Sequence, residues 1–131
     1  MTSLFLALAL LQAPVPLPPP ILVTPKDAKS VGALINRGRL LVHRGQYQEA
    51  IIELNAVLRE HPDVELAWNL RGNAYYRLGD YPRALADQTQ AILINPNFIP
   101  GWRDRGATFG KMGDIVAAES DRAMVLKLLK H

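Results

Sequence analysis

The chain has 131 residues, of which 49% are hydrophobic, and this is enough for one domain with a modest core. It has no cysteine, which excludes a disulfide framework and a thiolate metal site. The net charge of +3 slightly favours acidic partners, but it falls short of the strongly basic character of nucleic-acid-binding domains.

Residues 1–13 have the character of an export signal. The apolar run "LFLALALL" from Leu4 to Leu11 has signal-peptide length and is too short to span a bilayer. Ala13 offers a small residue for cleavage, whereas the missing basic residue before the run and Pro14 after the cut both disfavour it. We therefore expect a periplasmic or secreted bacterial protein if the segment is cleaved, and a cytoplasmic protein with a hydrophobic tail if it is not.

Residues 14–25 contain six prolines in twelve positions, which predicts an extended linker outside any packed core. Thr24 and Pro25 suit the start of a helix, since threonine caps helices and proline is tolerated in the first turn. The folded domain is accordingly expected over residues 26–131.

A repeat of 34 residues runs through this domain, over blocks 31–64, 65–98 and 99–131. Three sets of small residues recur at this spacing without any insertion: Gly38, Gly72 and Gly106; Gly45, Gly79 and Gly113; Ala50, Ala84 and Ala118. Internal repetition at such a period indicates stacked supersecondary units. In each block two apolar-periodic runs flank a short turn that contains glycine, so each block is predicted to be a helical hairpin.

The mid-helix glycines need a reason, because glycine costs about 1 kcal/mol relative to alanine in a helix. We expect Gly72 to pack on Ala84 of the partner helix, where two small residues allow a close approach. Pro62 and Pro96 are expected to end the second helices of the first two blocks.

The pattern resembles that of the tetratricopeptide repeat family over residues 31–131. The middle block carries most of the motif, at Trp68, Gly72, Tyr75, Ala84, Ala91 and Pro96. The third block keeps Trp102, Gly106, Phe109 and Ala118. The first block is more divergent, with Leu34, Gly38, Leu41, Ala50, Val57 and Pro62. Leu54, Gln88 and Arg122 stand where the family usually has a bulky residue, which predicts looser packing in the later repeats.

The resemblance implies an all-α solenoid of three stacked hairpins, preceded by a disordered or extended segment. It also implies a concave groove, lined by the first helices, that binds a peptide or helix of another protein. Some members clamp a terminal carboxylate with lysine and asparagine on the first helix, but those sites here hold Ile35 and Arg39, which disfavours such a clamp.

No arrangement of residues for catalysis or for binding a cofactor or metal emerges from the sequence. The three histidines have no common helix face, and the glycines belong to the repeat and not to a phosphate-binding loop. We therefore expect a protein that is not an enzyme and has no cofactor.

Projection of the first helices places eight side chains in the groove: Arg39, His43, Asn69, Asn73, Tyr76, Arg77, Arg103 and Lys111. Four are permanent cations and none is a carboxylate, which favours an acidic or extended peptide, with Asn69 and Asn73 bracketing its backbone. An ordinary solvated helix face is the alternative interpretation.

Two other modes of interaction remain open. Met124, Leu128 and Leu129 make the last helix apolar, which fits a homodimer or another partner at the C-terminal face. RNA binding is disfavoured, because the repeats carry no code of base-reading side chains, and no membrane span is expected.

A last column pairs arginine with an acid sixteen residues later: Arg37 with Glu53, Arg71 with Asp87, and Arg105 with Asp121. We expect each pair to join the two helices of one hairpin, which would make these arginines structural and exclude them from the binding site.

Overall fold

The computed structural model describes residues 28–130, with side chains from residue 31, and this part of the chain is entirely helical between its turns. It contains six helices: α1 (Ala28–His43), α2 (Tyr47–Glu60), α3 (Glu65–Arg77), α4 (Tyr81–Ile94), α5 (Ile99–Lys111) and α6 (Ile115–Leu129). They pair as α1–α2, α3–α4 and α5–α6, and each hairpin packs on the next. The predicted solenoid of three stacked hairpins is thus confirmed.

A glycine in the left-handed region forms the turn inside every hairpin. Gly45, Gly79 and Gly113 have φ angles of 78°, 81° and 82°, which other residues rarely adopt. At the end of α3, Gly79 donates its backbone N–H to Tyr76 and Asp80 donates to Tyr75, the Schellman pattern that satisfies the last carbonyls of a helix. The turn glycines are therefore required by the backbone conformation.

The mid-helix glycine Gly72 permits close contact between α3 and α4. A Cβ atom added there would lie 3.2 Å from the carbonyl oxygen of Ala84 and 3.1 Å from side-chain carbons of Asp87 and Gln88. The predicted packing of Gly72 on Ala84 is confirmed, and the cost of glycine in the helix is offset by the close approach of the two backbones.

The first helices of the hairpins form one continuous face. α1 contacts α3 and α3 contacts α5, whereas within residues 28–130 the second helices α2, α4 and α6 make no such contact with one another. The stack therefore curves toward α1, α3 and α5, and these three helices line its inner face.

The two seams between hairpins differ in chemistry. The first is an apolar cluster in which Leu54, Val57 and Leu58 of α2 pack with Ala67 and Leu70 of α3. The second combines buried Ala91 and Ile92, which lie against Gly101, with the buried polar pair of Gln88 and Thr108. The prediction of looser packing was wrong at Gln88, which is completely buried, whereas Arg122 at the equivalent site of α6 is exposed.

The N-terminal predictions fall on residues that the structure does not describe. The signal-like residues 1–13, the proline-rich residues 14–25 and the helix start at Thr24 and Pro25 all lie outside residues 28–130. Within residues 28–130, no helix combines the length and the hydropathy needed to cross a bilayer.

Candidate functional site

The eight side chains predicted for the groove differ in accessibility. Arg39, His43, Arg77, Arg103 and Lys111 are exposed, Asn73 and Tyr76 are half-buried, and Asn69 is buried. All eight lie on α1, α3 or α5, the helices of the inner face. The cationic members are therefore open to a partner, and the amide of Asn69 belongs to the interior.

Asn69 and Asn73 hold a carboxylate of the neighbouring first helix. Their Nδ2 atoms donate hydrogen bonds of 2.8 and 3.0 Å to Oδ2 of Asp104 on α5. Arg103 donates to the other oxygen of Asp104 at 3.1 Å. Two expectations are corrected here: the groove does contain a carboxylate, and the two asparagines bracket Asp104 and not a free peptide site.

The aromatic side chains near the hairpin turns pack on their own molecule. The ring of Tyr76 makes an edge-on contact with Tyr81, with ring centroids 5.7 Å apart. The guanidinium of Arg77 lies 5.6 Å from the ring centre of Tyr47, in the preceding hairpin. Both contacts reduce the rotamer freedom of the two predicted groove residues while leaving Arg77 exposed.

The three predicted arginine–acid pairs all form, each across its own hairpin. Arg71 donates to both carboxylate oxygens of Asp87 at 2.8 and 2.7 Å, and Arg105 donates to those of Asp121 at 2.9 and 2.8 Å. The Arg37–Glu53 pair has a single contact of 3.2 Å. The predicted pairing is confirmed, and the exclusion of these arginines from the binding face stays a prediction.

Each bidentate arginine also reaches back to the preceding hairpin. Arg71 donates to Asn55 of α2 at 2.8 Å, and Arg105 donates to Thr89 of α4 at 3.4 Å. The guanidinium of Arg71 further lies 5.0 Å from the ring centre of Trp68. The hydrogen bonds to Asp87 raise the pKa of Arg71, so this guanidinium stays charged.

The exposed polar groups of the inner face are suited to recognition. Among residues 28–130, no three histidine, aspartate or glutamate side chains come together as a metal site. What the inner face offers instead is guanidinium, ammonium and amide groups, which bind carboxylates and peptide groups through hydrogen bonds and charge.

Sequence reasoning missed Asp104 because it placed each first helix on its own. Asp104 follows Arg103 in the chain, but the contact that matters joins it to Asn69 and Asn73, 35 and 31 residues earlier. The repeat does offer a signal for this contact, because a side chain on one first helix lies opposite the equivalent helical turn of the first helix in the next hairpin.

Comparisons with known proteins agree with this geometry. The tetratricopeptide repeat model matches residues 35–97. No curated protein is significantly similar to the chain in sequence.

Three solved structures illustrate the likeness. The second TPR of Spaghetti (RPAP3), bound to HSP90 peptide SRMEEVD, is 26% identical with a TM-score of 0.71, over 75% of this chain and 91% of that one. The first TPR of the same protein, bound to the same peptide, is 25% identical with a TM-score of 0.74, over 78% and 81%. The Sgt2 TPR domain of Aspergillus fumigatus, at 20% identity and a TM-score of 0.74 over 78% and 68%, shares the fold.

Proposed function

Because the chain is a small three-repeat member of the tetratricopeptide repeat family, we propose that it is a protein-interaction module that binds a peptide or helix of another protein on its inner face. It acts as a scaffold or assembly cofactor and not as an enzyme. The bound segment is acidic and lies across α1, α3 and α5.

The exposed cations of the inner face are the observation on which this proposal depends. Arg39, Arg77, Arg103 and Lys111 are all exposed on the first helices. Asp104 offsets part of this charge, but its oxygens are already occupied by Asn69, Asn73 and Arg103. A surface on which positive charges predominate attracts an acidic segment and speeds its association.

The family likeness supports the same class of ligand. Two structural relatives bind the peptide SRMEEVD, which carries two glutamates and one aspartate. In this chain Ile35 is buried in the core, at 9% exposure, and so it offers nothing to a ligand. We therefore propose recognition of acidic side chains and not a clamp on a terminal carboxylate at Ile35 and Arg39.

Peptide titration tests the proposal. Fluorescein-labelled SRMEEVD and a matched peptide with Gln and Asn in place of Glu and Asp are titrated with the full chain by fluorescence anisotropy. Triple charge reversal at Arg39, Arg77 and Lys111 is expected to weaken binding of the acidic peptide by roughly tenfold or more.

A second triple variant controls for net charge. Arg59, Arg83 and Lys127 are exposed on the second helices α2, α4 and α6, so changes to Glu there alter the total charge equally. This control is expected to bind nearly as the wild type does. Equal losses in the two triple variants, or equal binding of the two peptides, would exclude an acid-selective inner face.

Export is a separate proposal, motivated by the apolar run from Leu4 to Leu11. Intact-mass spectrometry of the protein from fractionated bacterial cells tests it. A periplasmic species shortened near Ala13 is expected, and a full-length cytoplasmic species would contradict export.

A further inference from the structure

The exposed seam between α5 and α6 has the shape that the other hairpins use to seat a helix. Helix α3 lies on the seam of the first hairpin and α5 lies on that of the second. In the third hairpin the same surface is an open groove of about 280 Å³, with Trp102, Ala118 and Val125 among its lining residues.

Equivalent side chains change from buried to exposed along the stack. Leu58 of α2 and Ile92 of α4 are both 6% exposed, whereas Leu126, one repeat later, is 54% exposed. Leu54 and Gln88 are fully buried, whereas the side chain of Arg122 at the same repeat position is 73% exposed. The third hairpin therefore presents a helix-seating surface whose centre carries an arginine.

The seated helix α5 shows which positions of an occupant meet that arginine. Gln88 of α4 contacts Thr108 of α5 through a hydrogen bond of 2.7 Å. Arg122 follows Gln88 by one repeat of 34 residues, so a helix seated in the same way presents its Thr108-equivalent side chain to Arg122. A carboxylate is the complementary group at that position.

A second position gives the same answer. Asn69 of α3 donates to Asp104 of α5, four residues before Thr108. One repeat later, Asn69 is replaced by Arg103, which lines the open groove. An occupant helix thus meets Arg103 and Arg122 at two positions four residues apart, which lie on one face of a helix.

We infer that the α5–α6 seam is a second docking site, which adjoins the inner face and shares Arg103 with it, for an amphipathic helix of a partner protein with two acidic side chains four residues apart. Small and apolar residues of that helix cover Ala118, Val125 and Leu126, and its acids pair with Arg103 and Arg122. Glu119 also lines the groove, and its exposed contact with Arg122 is long, at 3.9 Å, and weak.

Helix α1 of a second copy and residues 1–25 both fit the seam less well. Helix α1 of a second copy would present Asn36 and Leu40, the repeat equivalents of Asp104 and Thr108, and neither is acidic. Residues 1–25 contain no charged side chain at all. Both leave the two arginines covered without a partner, which costs desolvation free energy.

The test uses two labelled alanine–leucine peptides of about four helical turns, identical except for a Glu pair or a Gln pair at positions four residues apart. Anisotropy titration of the full chain is expected to show binding of the Glu peptide, and roughly fivefold weaker binding of the Gln peptide. Arg122→Glu is expected to weaken binding of the Glu peptide by roughly tenfold and to favour a peptide that keeps Glu at the position facing Arg103 and has Lys at the position facing residue 122.

Arg83→Glu is the matched control, because Arg83 lies on α4 with a side chain 71% exposed, against 73% for Arg122. Equal effects of the two substitutions, or equal binding of the Glu and Gln peptides, would overturn the assignment. The assignment would also be overturned if a peptide of residues 1–25 competed with the Glu peptide for binding. The same holds if analytical ultracentrifugation showed a dimer that Leu126→Ser dissociates. Charge reversal at Arg39, Arg77 and Lys111 is expected to leave this binding unchanged, which separates its outcome from that of the inner face.

Discussion

Thr108 donates a hydrogen bond of 2.7 Å to Oε1 of Gln88, and both side chains are completely shielded from solvent in the seam between the second and third hairpins. The bond has unequal consequences for its two partners. The hydroxyl of Thr108 also contacts the backbone carbonyl of Asp104 at 3.1 Å, whereas Nε2 of Gln88 is buried without a hydrogen-bond partner.

Opposite stability changes are expected from substitutions at the two ends of this bond. Thr108→Val leaves the buried amide of Gln88 unsatisfied at both atoms and is expected to cost about 1–3 kcal/mol in the free energy of unfolding. Gln88→Leu removes the orphaned amide and places at this site the residue that Leu54 provides in the first hairpin, so it is expected to be neutral or stabilising. Urea denaturation followed by circular dichroism measures both, and a larger loss for Gln88→Leu would contradict this account.

The arginine–acid pairs are expected to differ in their contribution to stability because they differ in burial. The side chains of Arg71 and Asp87 are 19% and 6% exposed, and Arg71→Ala leaves the carboxylate of Asp87 buried without its cation, at a cost of about 3 kcal/mol. Arg37, at 51% exposure, is the control, for which Arg37→Ala is expected to cost less than about 1 kcal/mol. Similar losses in the two variants, measured by urea denaturation, would show that burial does not decide the strength of these pairs.

Glycine positions with and without a close neighbour are expected to respond oppositely to a larger side chain. Gly72→Leu forces a side chain into the contact with Ala84, Asp87 and Gln88 and is expected to lower stability by about 1–3 kcal/mol. Gly110 in α5 has no atom within 4 Å of an added Cβ, so Gly110→Ala is expected to gain up to about 1 kcal/mol from helix propensity alone. Thermal melts of the two variants report this contrast, and an unchanged melting temperature for Gly72→Leu would refute the packing assignment.

Asp104 is expected to lower the affinity of the inner face for acidic peptides. Asp104→Asn keeps the shape of the side chain, removes its charge, and releases Arg103 from the ion pair at 3.1 Å. Binding of labelled SRMEEVD is expected to strengthen by a few-fold, since one like-charge repulsion is lost and one guanidinium is freed. The isosteric change serves as its own packing control, and weaker binding in the variant would mean that Asp104 supports the binding site.

The repeat period, the hairpins and their turns were determined by the sequence alone. The glycines at Gly45, Gly79 and Gly113 predict turns, and apolar periodicity predicts helices, because both depend on the conformation of a few consecutive residues. The pairing of Arg71 with Asp87 was also accessible, since it lies within one hairpin and three copies at the same spacing disclosed it.

Only the tertiary structure decided how neighbouring hairpins change each other's burial and polar contacts. Asp104 is held by Asn69 and Asn73 across two first helices, and Gln88 is buried under α5 while its equivalent Arg122 is exposed. Equivalent positions in a repeat have the same local structure, but their burial depends on whether another helix is seated on them. Desolvation and charge pairing act across that contact, so the chemistry of the inner face and of the open seam follows from the stacking and not from the local pattern of residues.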